Sequence, residues 1–143
     1  MHQIKTHNVS NKMVVGIIGL GIMGLAIAEN LIKDGYIVHG FDTLSRQRQK
    51  LKKLGGYPAS SITALPLEIE VILTSLPSGQ ALYEVSTALS IQARSGVVLV
   101  ETSTLTLEDK KQAAKLLKLA GIQSLDCPLS GTGSQAKVKD LVV

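Results

Sequence analysis

The sequence predicts an α/β fold, a doubly wound parallel sheet with helices on both faces, and three observations carry that expectation. Five short apolar runs of strand length alternate with longer segments of helical spacing. Aromatic residues make up only 3% of the chain while glycine occurs 13 times, a balance that suits aliphatic parallel strands buried on both sides. The 143 residues are 45% apolar and 18% charged, enough to bury one good core but not two, so a single domain is expected.

Residues 1–12 carry His, Asn, Ser and Lys without periodicity and read as a flexible leader, with the folded domain spanning 13–143. Val14–Ile18 is the first strand. In the helix after it Met23, Ile27, Leu31 and Ile32 share a face, and Gly35 is its stop. Ile37–Phe41 is the next strand, followed by a helix that Ser45 is placed to cap and Gly55 to end. Val71–Thr74 precedes a helix capped by Ser78. The strand at 97–100 precedes one opened by Thr106 with Glu108 and Asp109 and closed by Gly121, and 122–125 is a fifth strand. Repetition of strand, helix and strand requires right-handed parallel crossovers. Residues 138–143 begin another strand-like stretch, and no repeat, Pro-rich linker or low-complexity segment marks a second domain.

Charge and cysteine content remove several functional classes. The net charge of +4 and the isoelectric point near 9.3 raise the question of nucleic acid, yet the basic residues are scattered apart from Arg46, Arg48, Lys50, Lys52 and Lys53. That cluster reads as a solvated helix face, because no aromatic side chains interleave with it to stack on bases, and no nucleic-acid partner is expected. The lone Cys127 cannot form an internal disulfide and has no companions for a metal site, which fits a reducing, cytoplasmic compartment. Placed before Pro128, it reads as a small packed residue rather than a reactive thiol. The uncharged run at 13–28 superficially resembles a signal peptide, but cleavage there would discard the best functional motif, and the run is shorter than the ~20 residues of a membrane span.

That motif is Gly19-Leu20-Gly21-Ile22-Met23-Gly24, a G-x-G-x-x-G that directly follows a strand and opens a helix. Asp42 stands at the end of the next strand, eighteen residues after Gly24, where the dinucleotide fingerprint places its acid. The chemistry explains the pattern. Gly19 permits the tight turn, Gly21 lets backbone approach a pyrophosphate, and Gly24 lets the helix pack closely on the strand. Amides at the helix start, aided by its dipole, bind the phosphates. Asp42 would accept bonds from the adenosine ribose and repel a 2′-phosphate, favouring NAD over NADP, although Arg46 is near enough in sequence to reach a 2′-phosphate. The sequence therefore reads as a dinucleotide-binding domain of the Rossmann type.

The glycine segment, with Ala28, Asn30, Leu31 and Gly35 after it, resembles the opening of the β-hydroxyacid dehydrogenase family, which includes 3-hydroxyisobutyrate, tartronate semialdehyde and 6-phosphogluconate dehydrogenases. The resemblance runs from Met13 through nearly the whole chain. It implies that Leu76-Pro77 matches a loop lying along the cofactor, and that Glu101-Thr102-Ser103-Thr104 matches a D-x-S-T segment whose last residue, Thr104, contacts the nicotinamide. Asp126-Cys127-Pro128-Leu129-Ser130-Gly131-Thr132 is similar to the D-x-P-V-S-G-G substrate loop, in which Ser130 and Gly131 would hold a carboxylate. Thr132 replaces the second glycine, Ala81 stands where many relatives have Asn, and Glu101 replaces Asp.

A complete relative would transfer a hydride between the nicotinamide and a small 3-hydroxy acid, with a lysine moving the hydroxyl proton. The resemblance places that lysine and its neighbouring Asn in an all-helical domain beyond residue 143. The chain is accordingly expected to bind cofactor without turnover, with Lys137 and Lys139 as surface lysines and no catalytic residue of its own. The alternatives are an imine reductase-like NADPH enzyme and a non-catalytic cofactor-sensing or interaction module. A homodimer through apolar surface near 141–143 fits the latter.

Overall fold

The computed structural model describes residues 12–92 and 94–143, so the expected leader, Lys12 apart, lies outside the described residues. Its strands are β1 (Val14–Ile18), β2 (Ile37–Phe41), β3 (Tyr57–Pro58), β4 (Val71–Thr74), β5 (Val98–Glu101) and β6 (Gln123–Asp126). The helices are α1 (Ile22–Lys33), α2 (Ser45–Lys53), α3 (Gly79–Ile91), α4 (Leu107–Leu119) and α5 (Gly133–Lys137). All five strand pairings are parallel, in the order β3-β2-β1-β4-β5-β6. The chain winds outward from β1 in one direction and from β4 in the other, so the order reverses between those two strands. Open sheets of this kind bind ligands in the crevice at that reversal.

Alternation along the strands builds two cores. Ile17 of β1 joins Leu20, Ala28, Val38 and Leu51, with Leu25, Ile27, Leu31 and Ile32 packed against them, under α1 and α2. Ile18, one residue on and therefore on the other face, joins Ile69, Ile72, Leu89, Leu99, Leu117 and Ile122 under α3 and α4. Burial on both faces is what aliphatic strands without polar alternation require.

Several local expectations are corrected. Ser45 is the first residue of α2 rather than its cap; Leu44 is the N-cap and no side chain closes that end. Ser78 and Thr106 do cap α3 and α4, accepting the amides of Ala81 and Asp109. The last two long strands begin one residue later than their apolar runs, and end on the acids Glu101 and Asp126. The short edge strand β3 went unforeseen. The Ala59 amide bonds inward to Gly40, so Pro58, whose nitrogen carries no hydrogen, faces out of the sheet.

Residues 138–143 form no strand; their pairing is one antiparallel bridge, between Ser130 and Val142. The unforeseen α5 lies just before that stretch. Thr132 and Gln135 form a reciprocal capping box at its start, and the Asn30 side chain of α1 donates to the Ala136 carbonyl at 2.7 Å. Just past its far end Lys139 adopts φ 60°, a left-handed conformation that costs a side-chain-bearing residue about 1–2 kcal/mol.

Lys139 gains an ion pair with Asp34 at 2.6 Å in return, with both side chains about half exposed. Exposed pairs contribute little. Lys139→Gly is therefore expected to raise stability by about 1 kcal/mol. In urea unfolding the midpoint should move up with an unchanged slope.

Candidate functional site

The glycine turn joins β1 to α1 at the reversal point of the sheet. Gly19 has φ +93°, and any Cβ there would lie 2.1 Å from the Ser75 carbonyl oxygen of the loop after β4. Its amide donates to the Phe41 carbonyl at 2.9 Å, which ties the turn to the end of β2. A Cβ on Gly24 would lie 1.9 Å from the Gly19 carbonyl oxygen, so the helix sits directly on the turn. At Gly21, by contrast, a Cβ would meet nothing within 4 Å. One face of the turn is open.

Gly21 is the N-cap of α1, yet no side chain caps the helix and its first turn holds no acid. The first bond to its carbonyl comes from Leu25 at 3.0 Å, leaving the amides of Ile22, Met23 and Gly24 ahead of the helical ladder. The positive end of the helix dipole thus meets the open face with no acid of its own first turn to neutralise it. Leu20 is fully buried, and its amide donates to Asp42 Oδ2 at 2.8 Å. Ile22 is 78% exposed and Met23 partly buried.

Asp42 lies against the turn rather than away from it. Its second oxygen accepts the Leu44 amide at 2.8 Å, so the carboxylate bridges the loops after β1 and β2. A carboxylate offers about four lone-pair positions, and two amides leave room for further donors. The Arg48 guanidinium donates to the Asp42 carbonyl and stands 5.9 Å from the Phe41 ring centre, while Arg46 is exposed.

The remaining loops are laced to one another along the same edge. Leu76 is partly buried and Pro77 exposed, and the Leu76 amide donates to Ser103 Oγ at 2.8 Å. The Thr102 hydroxyl and amide both donate to the Thr74 carbonyl, and Thr104, two residues along, is exposed. Leu129 donates to the Thr102 carbonyl at 3.2 Å and the Ser130 amide to Val142 at 2.8 Å. Ser130, Gly131 and Thr132 are exposed. A Cβ on Gly133, the residue after them, would lie 2.2 Å from Ile22 Cγ2. That contact brings the loop after β6 to the N-terminus of α1.

Sequence reading missed Ser103 and Lys110. Ser103 was inside a noted segment, but its role as acceptor for Leu76 depends on a loop 27 residues away. Lys110 belongs to no motif in the sequence, yet its ammonium lies 3.0 Å from Glu101 Oε2 and bonds Asp126. Burial pulls this ammonium down, but the bonds to Asp126 and Glu101 outweigh it and hold the group above its ordinary value. Cys127 is partly buried. Among the described residues no cluster of three or more His, Cys, Asp or Glu could hold a metal, and no helix is long and apolar enough to cross a membrane.

Residues 14–143 match the family described as the NAD binding domain of 6-phosphogluconate dehydrogenase. The chain belongs to this family. It is similar to the mitochondrial 3-hydroxyisobutyrate dehydrogenase of Rattus norvegicus, 31% identical over 139 residues, which cover 95% of this chain and 42% of that enzyme. The solved 3-hydroxyisobutyrate dehydrogenase of Mycobacterium tuberculosis, determined with L-serine, superposes at a TM-score of 0.87 with 27% identity, over 91% of this chain and 45% of that one. An imine reductase of Streptomyces aurantiacus superposes at 0.78 with 26% identity, over 85% and 43%. This NAD-binding domain therefore spans about two fifths of the length of the curated relatives it matches.

The contact between Gly24 and Gly19 yields the clearest stability test. Gly24→Ala must push α1 off its turn and is expected to cost about 3 kcal/mol, read as a lowered urea midpoint. An unchanged midpoint would mean that the helix is not seated there.

Proposed function

We propose that residues 13–143 act as one cofactor domain that binds NAD in preference to NADP across the crevice between β1 and β4. The observation that carries this reading is the uncapped N-terminus of α1 behind an open Gly21, with the Asp42 carboxylate fixed beside it. The amides of Gly21, Ile22, Met23 and Gly24 hold the diphosphate, and Gly19 and Leu20 shape the turn beneath it. Asp42 accepts bonds from the adenosine ribose hydroxyls and repels a 2′-phosphate. Leu76, Pro77 and Thr104 line the path of the nicotinamide half.

The bound dinucleotide supplies a nicotinamide that exchanges hydride with the substrate. Ser130, by its hydroxyl, and Gly131, by its amide, orient the carboxylate of a small 3-hydroxy acid in a complete dehydrogenase, with Thr132 beside them donating its own amide to Gln135. No proton-transferring group is assigned within this chain: Lys139 is paired with Asp34 after α1, and Lys137 lies two residues before it, at the end of α5.

A second reading, an imine reductase-like domain using NADPH, is favoured by the superposition on the Streptomyces aurantiacus enzyme and by Arg48, whose guanidinium is held beside Asp42.

Calorimetric titration separates these outcomes. NAD⁺ is expected to bind about tenfold more tightly than NADP⁺, ~1.4 kcal/mol, whereas the reverse order selects the imine reductase reading. No heat from either ligand at millimolar concentration would sink both. Gly21→Val provides the control: its Cβ enters open space, so the change at the N-cap should cost no more than about 1 kcal/mol while NAD⁺ affinity falls about tenfold or more.

A further inference from the structure

Three ionisable side chains from three elements meet beside the site. Glu101 closes β5, Asp126 closes β6, and the two residues are paired across the parallel ladder. Two carboxylates on neighbouring strand ends repel. The Lys110 ammonium, from the first turn of α4, stands between them, 3.0 Å from Glu101 Oε2 and hydrogen-bonded to Asp126 Oδ1. Glu101 is 3% exposed and the Lys110 side chain 11%, so the pair is shielded from water, whereas Asp126 is about half exposed.

Shielded ion pairs add little net stability, because desolvation offsets their attraction, so what matters in this one is the geometry it joins. The geometry here belongs to two loops. Glu101 Oε1 accepts the Ser103 amide at 2.8 Å, which sets the turn before Thr104, and Ser103 in turn holds the Leu76 amide. On the other side the Glu101 carbonyl accepts the Cys127 amide at 2.8 Å, at the root of the loop that carries Ser130. The neighbouring Asp109 carboxylate lies within 2.5 Å of where a Cβ on Gly79 would stand, so the start of α4 is also packed against the start of α3.

We propose that Lys110 is a positioning residue. By drawing Glu101 and Asp126 together it fixes the spacing between the Thr104 loop and the Ser130 loop, and so shapes the nicotinamide end of the dinucleotide pocket without touching the adenosine end. This rests on the proposed cofactor reading, in which Thr104 faces the nicotinamide.

The test uses two ligands that share an adenosine end, NAD⁺ and ADP-ribose, the second lacking nicotinamide. Each is titrated calorimetrically into the wild type, Lys110→Met and Lys110→Arg. Lys110→Met is expected to bind NAD⁺ about tenfold more weakly and ADP-ribose as the wild type does, while Lys110→Arg, which can still bridge two carboxylates, restores NAD⁺ affinity. Glu101→Gln keeps an oxygen for the Ser103 amide but drops the charge facing Lys110, and should reproduce the selective loss if Lys110→Met folds poorly. Equal losses on both ligands, or on neither, overturn the positioning role and leave the cofactor reading intact. A wild type that binds neither ligand overturns both.

Discussion

No atom fits between the Cα of Gly24 and the carbonyl oxygen of Gly19, and the rest of the site depends on that exclusion. Because the helix comes down onto its own entry turn, its first amides emerge beside the end of β1 rather than some way along the chain. The same closeness presses Gly19 on the Ser75 carbonyl and thus fixes the loop after β4 relative to the turn. A single methyl group at either position would separate parts that the site needs together.

From that point the C-terminal edge of the sheet is organised as a chain of loop-to-loop bonds. Asp42 joins the loops after β1 and β2, Ser103 joins those after β4 and β5, and the carbonyls of Glu101 and Thr102 hold the loop after β6 against the end of β5. These bonds are mostly from backbone amides to buried or half-buried acceptors, a class that is expensive to leave unmade in low dielectric. The loops are therefore held at fixed separations by their neighbours, and not by their own secondary structure.

Legibility tracked the strength of local signals. The three strands Val14–Ile18, Ile37–Phe41 and Val71–Thr74 are apolar runs whose ends coincide with the ends of pairing, and the fingerprint glycines each occupy the geometry their spacing implied. Glu101 and Asp126 hid the ends of β5 and β6 because acids do not look like strand residues, although pairing continues through them. β3 is two residues long and contains proline, which leaves periodicity nothing to register. Thr132 and Gln135 had the spacing of a capping box, a signal for α5 that the strand-like character of 138–143 obscured. Lys110 was illegible for a different reason: its partners lie 9 and 16 residues away on separate strands, and sequence offers no measure of that proximity.

Pro58 has an effect that reaches beyond its own strand. A polypeptide lying alongside β3 would look for a hydrogen-bond donor at this position and find a ring instead, on a ladder only two residues long. That border of the sheet is thereby poorly suited to intermolecular pairing, whereas among the described strands β6 forms the opposite border without such a residue. The protein's protection against edge-to-edge aggregation is thus asymmetric, supplied on one flank by a single imino acid.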